Sequence, residues 1–499
     1  MTKQPNILMI YADQMRYDCM GCSGNPDVKT PHLDRLSREG VMFDEAFTSY
    51  PLCTPFRASL LTGKYAHQAG LYSNHFPINP DQPSLATSLN AAGYQSGYLG
   101  KWHLYGGPKP GFVPPGPDRM GFDHFVGYNR GHQYMDAIFY RDTDQPYHCK
   151  RYEPDFQTDH TIEFMESVSG AQDDPFFAYV CFGPPHFPMD MPEHWRTMYD
   201  PEAITLPKHT PNPELQMRRS MERLETEFGG DTRYGELSKA DKVDGQHLYV
   251  ESEGQLRKFV AEYYGMISNV DYNVGRLLNW LDAQGLAEDT IVIFFSDHGD
   301  MLGQHGSYCG IKRQAYRSAA QVPLILRLRG RFNAGKRVQS LVDVAVDTMP
   351  TLLEACGVDI PDSVQGTSFL PLLTGEGDQP TRDHVQFELM KADFGARGER
   401  HVKPERGIRT KDWLYVRKQD RPLYLFDQKT DRDEVVNLVN NPDYAEIQAE
   451  LDARVLTNME ETGDAWDLEM DFPPPNFMTH AEAHEHLLND LMPRAIDVP

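Results

Sequence analysis

Short apolar runs alternate with amphipathic stretches along the first three-quarters of the chain. Asn6–Ala12, Gln95–Leu99, Phe176–Phe182, Thr290–Ser296 and Val322–Leu328 are apolar and β-rich, the pattern of strands buried on both faces. Pro31–Glu39, Ser84–Ala92, Asp155–Ser167 and Val260–Ala283 lie between them and read as helices. This alternation predicts an α/β fold, a mostly parallel sheet covered by helices on both faces. Ligands gather beyond the C-terminal ends of strands in such sheets. Asp13 and Asp297 stand there, each directly after an apolar run.

The turn-rich stretch Leu373-Thr374-Gly375-Glu376-Gly377-Asp378 divides the pattern, predicting domains over residues 1–375 and 376–499. In the second part, Gly407–Tyr415 and Arg421–Phe426 read as short antiparallel strands and Tyr444–Glu461 as a closing helix. The charged segment Pro207–Gly254 reads as an irregular insertion. The tail after Trp466, with Pro473-Pro474-Pro475, reads as an extended arm.

A length of 499 residues accommodates a large core. The net charge of −25 excludes a general nucleic-acid binder, which needs a basic face. It also requires any anionic substrate to be drawn in by a local basic pocket. No apolar run is long enough for a membrane span. The run at Asn6–Ala12 ends at Asp13 without a small-residue cleavage site, so it reads as a strand and not a signal peptide. Seven cysteines, an odd number, form no evident disulfide framework, and a cytoplasmic location is expected unless a signal has been removed. Cys19-Met20-Gly21-Cys22 has no second pair and reads as unpaired thiols in a loop.

The chemistry concentrates at Cys53-Thr54-Pro55-Phe56-Arg57-Ala58-Ser59-Leu60-Leu61-Thr62-Gly63. A proline opens a helix beside a small nucleophile, and the free N–H groups of that turn favour anions. Five further patches accompany it: Asp13-Gln14; Gly100-Lys101-Trp102-His103-Leu104; Pro185-His186-Phe187-Pro188; Ser296-Asp297-His298-Gly299 with Lys312; and Leu423–Asp427 followed by Asp431, Glu434 and Asn437-Leu438. Together and in this order they resemble the type I sulfatases of the alkaline phosphatase superfamily, whose signature cysteine is oxidised to formylglycine.

The resemblance implies an alkaline-phosphatase-like large mixed sheet sandwiched by helices, with a smaller C-terminal α+β domain. It implies formylglycine at Cys53, installed by a formylglycine-generating enzyme, and one divalent cation held by Asp13, Gln14, Asp297 and His298. The mainly oxygen donor set suits Ca²⁺ or Mg²⁺, while Gln14 and His298 keep Mn²⁺ or Zn²⁺ open. Lys101 and Lys312 would hold sulfate oxygens, and Arg57 would steady those at position 53. His103 would take a proton, and His186 would protonate the leaving alcohol. Asn74, His75, Arg130, His132 and Tyr134 fall in loops suited to a polar substrate cleft. The expected activity is hydrolysis of a sulfate ester on a small saccharide; the oligomeric state is not legible. Two other readings stand beside it, a phosphonate monoester or phosphodiester hydrolase of the same superfamily, and a sulfated-glycan binder with Cys53 left as a thiol. His480, His484 and His486 read as an exposed tail.

Overall fold

A computed structural model describes residues 4–74, 76–107, 109–169, 174–208, 252–306, 309–376, 382–389 and 404–466. The expected insertion between Pro207 and Gly254, the tail after Trp466, its histidines and His75 lie largely or wholly outside these residues.

The main sheet has eight strands: β1 (Asn6–Asp13), β2 (Val41–Phe43), β3 (Gln95–Lys101), β4 (His124–Tyr128), β5 (Phe176–Pro185), β6 (Thr290–Ser296), β7 (Leu324–Arg327) and β8 (Lys336–Val338). Their order across the sheet is β8-β2-β7-β6-β1-β5-β3-β4. The neighbours β4, β3, β5, β1 and β6 run parallel, whereas β7 is antiparallel to both β6 and β2. The sheet is therefore mixed and mostly parallel.

Side-chain alternation along β1 explains the layers. Leu8, Ile10 and Ala12 enter a core shared with α1 (Pro31–Glu39), α5 (Glu153–Ser169) and α6 (Glu253–Ala283). Ile7, Met9 and Tyr11 enter the opposite core, shared with α2 (Cys53–Thr62), α4 (Leu85–Ala91) and α7 (Val344–Ala355). A short helix, α3 (Ala66–Ala69), follows α2. Burial on both faces leaves the strand ends as the polar rim of the sheet, and that is where the chemistry collects.

A second, antiparallel sheet contains β9 (His384–Leu389), β10 (Glu405–Thr410), β11 (Trp413–Lys418) and β12 (Pro422–Asp427), in that order. Helix α8 (Ala445–Thr462) lies against it through Leu451, Val455 and Met459. The single strand expected over Gly407–Tyr415 is in fact two. Thr410 Oγ1 accepts the N–H groups of Asp412 and Trp413, at 3.3 and 3.0 Å, turning the chain back on itself. All seven cysteines are free, Cys19 and Cys22 among them.

Candidate active site

Four adjacent parallel strands end at the same edge and deliver the expected residues there. β1 ends at Asp13, β3 at Lys101, β5 just before His186 and β6 just before Asp297. The turns are tightly specified. Gly100 has φ +120°, and a Cβ there would sit 2.3 Å from the Cys181 carbonyl oxygen. Gln14 and His103 take positive φ, 68° and 59°, which is uncommon outside glycine. Cys53 is the first residue of α2, and the entire helix is buried.

Asp13, Cys53, Asp297 and His298 each place one potential ligand atom within 4.8 Å of the others. Cys53 Sγ is 3.6 Å from Asp13 Oδ1, 3.4 Å from His298 Nε2 and 3.5 Å from Lys312 Nζ. Asp297 Oδ1 accepts the backbone N–H groups of Gln14 and His298 at 3.0 and 2.9 Å. Its Oδ2 is buried without an aligned hydrogen-bond donor, with His298 Nε2 at 3.1 Å. His298 Nδ1 faces the Gly299 carbonyl at 2.9 Å, so that nitrogen carries a proton and Nε2 points into the cluster. Two buried carboxylates, an exposed-to-the-cluster imidazole and an unserved carboxylate oxygen fit a divalent cation. Without one, burial lowers the His298 pKa but Asp297 raises it further, to about 9.

Gln14 is oriented by a residue the sequence reading missed. Its Nε2 donates to Asp300 Oδ2 at 2.6 Å, which turns Oε1 the other way, to 3.0 Å from Lys312 Nζ. Asp300 is itself fixed by the N–H groups of Leu302 and Gly310. Its position three residues beyond Asp297 was the available signal.

The cations surround this centre. Lys101 Nζ lies 2.7 Å from Asp13 Oδ2, and both side chains are fully buried. The Arg57 guanidinium reaches Asp13 Oδ2 at 3.2 Å, the Lys101 carbonyl at 2.6 Å and the Tyr11 hydroxyl at 2.9 Å, and its hydrogen bonds go to groups such as these and not to the Cys53 side chain. Burial would raise the Asp13 carboxyl, but Lys101, with Arg57 and Lys312, holds it well below the usual range. Burial and Asp13 push the Cys53 thiol up, yet Lys312 and Lys101 bring it below its ordinary value. His103 is buried near Lys101 and Arg57, and burial first, then those charges, keep it neutral.

His186 Nδ1 faces the Phe187 carbonyl at 2.5 Å and its Nε2 meets Lys312 Nζ at 2.7 Å. Burial and Lys312 hold this ring neutral, so Lys312 donates to it. Among the cleft residues, Asn74 Oδ1 accepts the Thr54 N–H at 3.1 Å and so caps the first turn of α2. Arg130 is buried close enough to His103 to affect its charge. His132 is stacked on His186, and Tyr134 donates to the His186 carbonyl.

The sulfatase family model matches residues 5–358, and a model for "N-sulphoglucosamine sulphohydrolase, C-terminal" matches residues 303–461. An ulvan-active sulfatase of Formosa agariphila is 32% identical over 465 residues, covering 92% of this chain and 82% of its own. A solved structure in complex with its substrate, D-glucosamine-2-N,6-O-disulfate, is 27% identical with a TM-score of 0.77, covering 94% of this chain and 100% of that one. A phosphonate monoester hydrolase of Agrobacterium radiobacter is 26% identical with a TM-score of 0.73, covering 92% and 96%. With its strand-end carboxylates, signature helix and two lysines set in an alkaline-phosphatase-like fold, the chain belongs to the sulfatase family and is a sulfuric ester hydrolase.

Proposed function

We propose that the protein hydrolyses a sulfate ester on a saccharide, using formylglycine made from Cys53. The observation that carries this reading is the convergence of Lys101 and Lys312 on one buried centre that also holds Cys53, Asp13, Asp297 and His298. The saccharide class is supported by relatives named for ulvan and by the glucosamine disulfate bound to one neighbour. Formylglycine at position 53 would, when hydrated, supply two hydroxyls on one carbon, one a nucleophile and one whose loss of a proton would release sulfate. Asp13, Gln14, Asp297 and His298 would hold the cation, Ca²⁺ by the hardness of the donors, which acidifies an attacking hydroxyl when bound.

The remaining work falls to this chain's side chains. Lys101 and Lys312 hold the nonbridging oxygens as point charges. Arg57 fixes Asp13 and the end of β3, so that it acts by holding the carboxylate and lysine in place. His103, kept neutral, is suited to accept a proton. His186 is placed to protonate the leaving alcohol from Nε2, and because the resting ring is neutral, that proton must be taken up from solvent while Lys312 keeps its charge for the sulfate.

Two measurements test the reading. The mass of the tryptic peptide containing residue 53, from the native host, should show conversion of thiol to aldehyde. The purified protein should hydrolyse sulfate esters faster than phosphonate monoesters or phosphodiesters. An unmodified thiol would favour a non-catalytic glycan binder, and a preference for phosphodiesters would overturn the sulfatase assignment of this site.

A further inference from the structure

The rings of His132 and His186 lie face to face, with centroids 3.6 Å apart and planes at 3°. His132 Nδ1 is 3.0 Å from the Tyr134 hydroxyl oxygen, and its Nε2 is 3.2 Å from Lys101 Nζ. Proton positions follow from what each partner can accept. The Tyr134 hydroxyl lies 2.8 Å from the His186 carbonyl, a group that only accepts, so the phenol proton points there. The phenol oxygen must then accept from His132 Nδ1–H. That leaves the Nε2 lone pair facing the Lys101 ammonium.

Lys101 is fully buried. One of its N–H bonds goes to Asp13 Oδ2 at 2.7 Å and a second to His132 Nε2. With two of the three directions of a tetrahedral ammonium committed, the third is fixed. A lysine held by Asp13 alone could rotate about that single bond on its flexible stem. We propose that His132, its tautomer locked by Tyr134, is a positioning residue that aims the Lys101 ammonium at the sulfate oxygens of the substrate.

This rests on the sulfatase reading and differs from the expectation that His132 contacts the sugar. It gives the site a paired construction: Lys312 donates to His186 and Lys101 donates to His132, with the two acceptor rings stacked on each other. Stacking of this kind is cheap for neutral rings and costly for two imidazolium ions, so each ring favours the acceptor form of its neighbour.

The test compares the converted wild-type enzyme with His132→Phe, His132→Gln and Tyr134→Phe. Each is assayed for kcat and KM on an aryl sulfate and for inhibition by inorganic sulfate. Phenylalanine keeps a flat ring for the stack but offers no lone pair. We expect kcat/KM to fall about 10- to 100-fold, with KM raised and sulfate inhibition weakened, because a charge-assisted hydrogen bond is lost. Glutamine, whose amide oxygen can stand where Nε2 stood, should recover most of the loss. Tyr134→Phe tests the lock without touching the histidine and should fall between them. If His132 only fills space, the order reverses: phenylalanine behaves as wild type and glutamine is impaired, and the proposal is overturned. A wild type that is fully converted at Cys53 yet hydrolyses no sulfate ester defeats the functional reading itself, and this inference with it.

Discussion

His67 ties the segment after the signature helix to the second sheet, and its charge should make stability depend on pH. The residue lies in α3. Its Nδ1 is 3.0 Å from Glu388 Oε2 on β9, and its Nε2 is 2.9 Å from the Thr462 carbonyl at the end of α8. Nδ1 lies at ion-pair distance from the carboxylate, though out of line for a hydrogen bond, and Nε2 faces a carbonyl, so both neighbours favour the imidazolium. Burial lowers the His67 pKa, but Glu388 raises it more, to about 9 from 6.5. Below pH 6.5 the folded and unfolded chains are both protonated and the full stabilisation is present. As pH rises towards 9 the unfolded chain has released its proton while the folded chain still holds one, and the stabilisation drains away. At about 1.4 kcal/mol per pKa unit, the interval is worth about 3 kcal/mol for this nearly inaccessible pair. Urea unfolding of wild type and His67→Gln at about pH 6 and about pH 9.5 measures it. The variant's deficit should be larger at the lower pH by about 3 kcal/mol. An equal deficit at both pH values would refute the assignment of a charged His67.

Chelation of the divalent cation should abolish turnover and Ca²⁺ should restore it; Asp297→Asn should weaken Ca²⁺ binding at least about 10-fold by calorimetry. Asp300→Asn should lower Ca²⁺ affinity by about 10- to 100-fold with an unchanged circular dichroism spectrum, since it releases the Gln14 amide from its orientation. Unaltered affinity would remove Gln14 from the ligand set. His186→Ala should slow hydrolysis of a sugar sulfate by about 10²- to 10⁴-fold and that of an activated aryl sulfate far less, because only the poor leaving group needs a proton. Equal losses on both substrates would exclude the general-acid role.

The parts of this architecture legible in the sequence were those written in local pattern. The runs that became β1 and β6 are long, apolar and followed at once by Asp13 and Asp297, and the run that became β5 leads through Gly183-Pro184-Pro185 to His186, so each strand and its functional end were read together. Short strands carry too little pattern: β2 and β8 have three residues each, and nothing local reveals that β7 runs antiparallel. The break in Gly407–Tyr415 was hidden because Lys411-Asp412 lacks glycine and proline, the turn being made by the Thr410 hydroxyl instead. Orientation within the site was not legible at all. Which way the Gln14 amide faces is decided by Asp300, and which nitrogen of His132 carries a proton is decided by Tyr134 and the His186 carbonyl just beyond β5. Such facts belong to tertiary contacts and leave no trace in spacing.

The charge distribution shows why a strongly acidic protein can select an anion. The chain carries −25 overall, yet Lys101, Arg57 and Lys312 sit on Asp13 and its neighbours at one strand-end edge. Across solvent, surface carboxylates more than about 8–10 Å away are screened by salt. Inside the low-dielectric site, the three cations are screened far less. The two buried carboxylates offset part of this charge at rest, which is what allows so many cations to be buried together. A bound divalent cation would use those carboxylates, leaving the lysine ammoniums in excess just where sulfate oxygens must lie. Anion selection is therefore conditional on the metal: the acidic residues at the centre of the site are what permit its positive charge to be assembled before any substrate arrives.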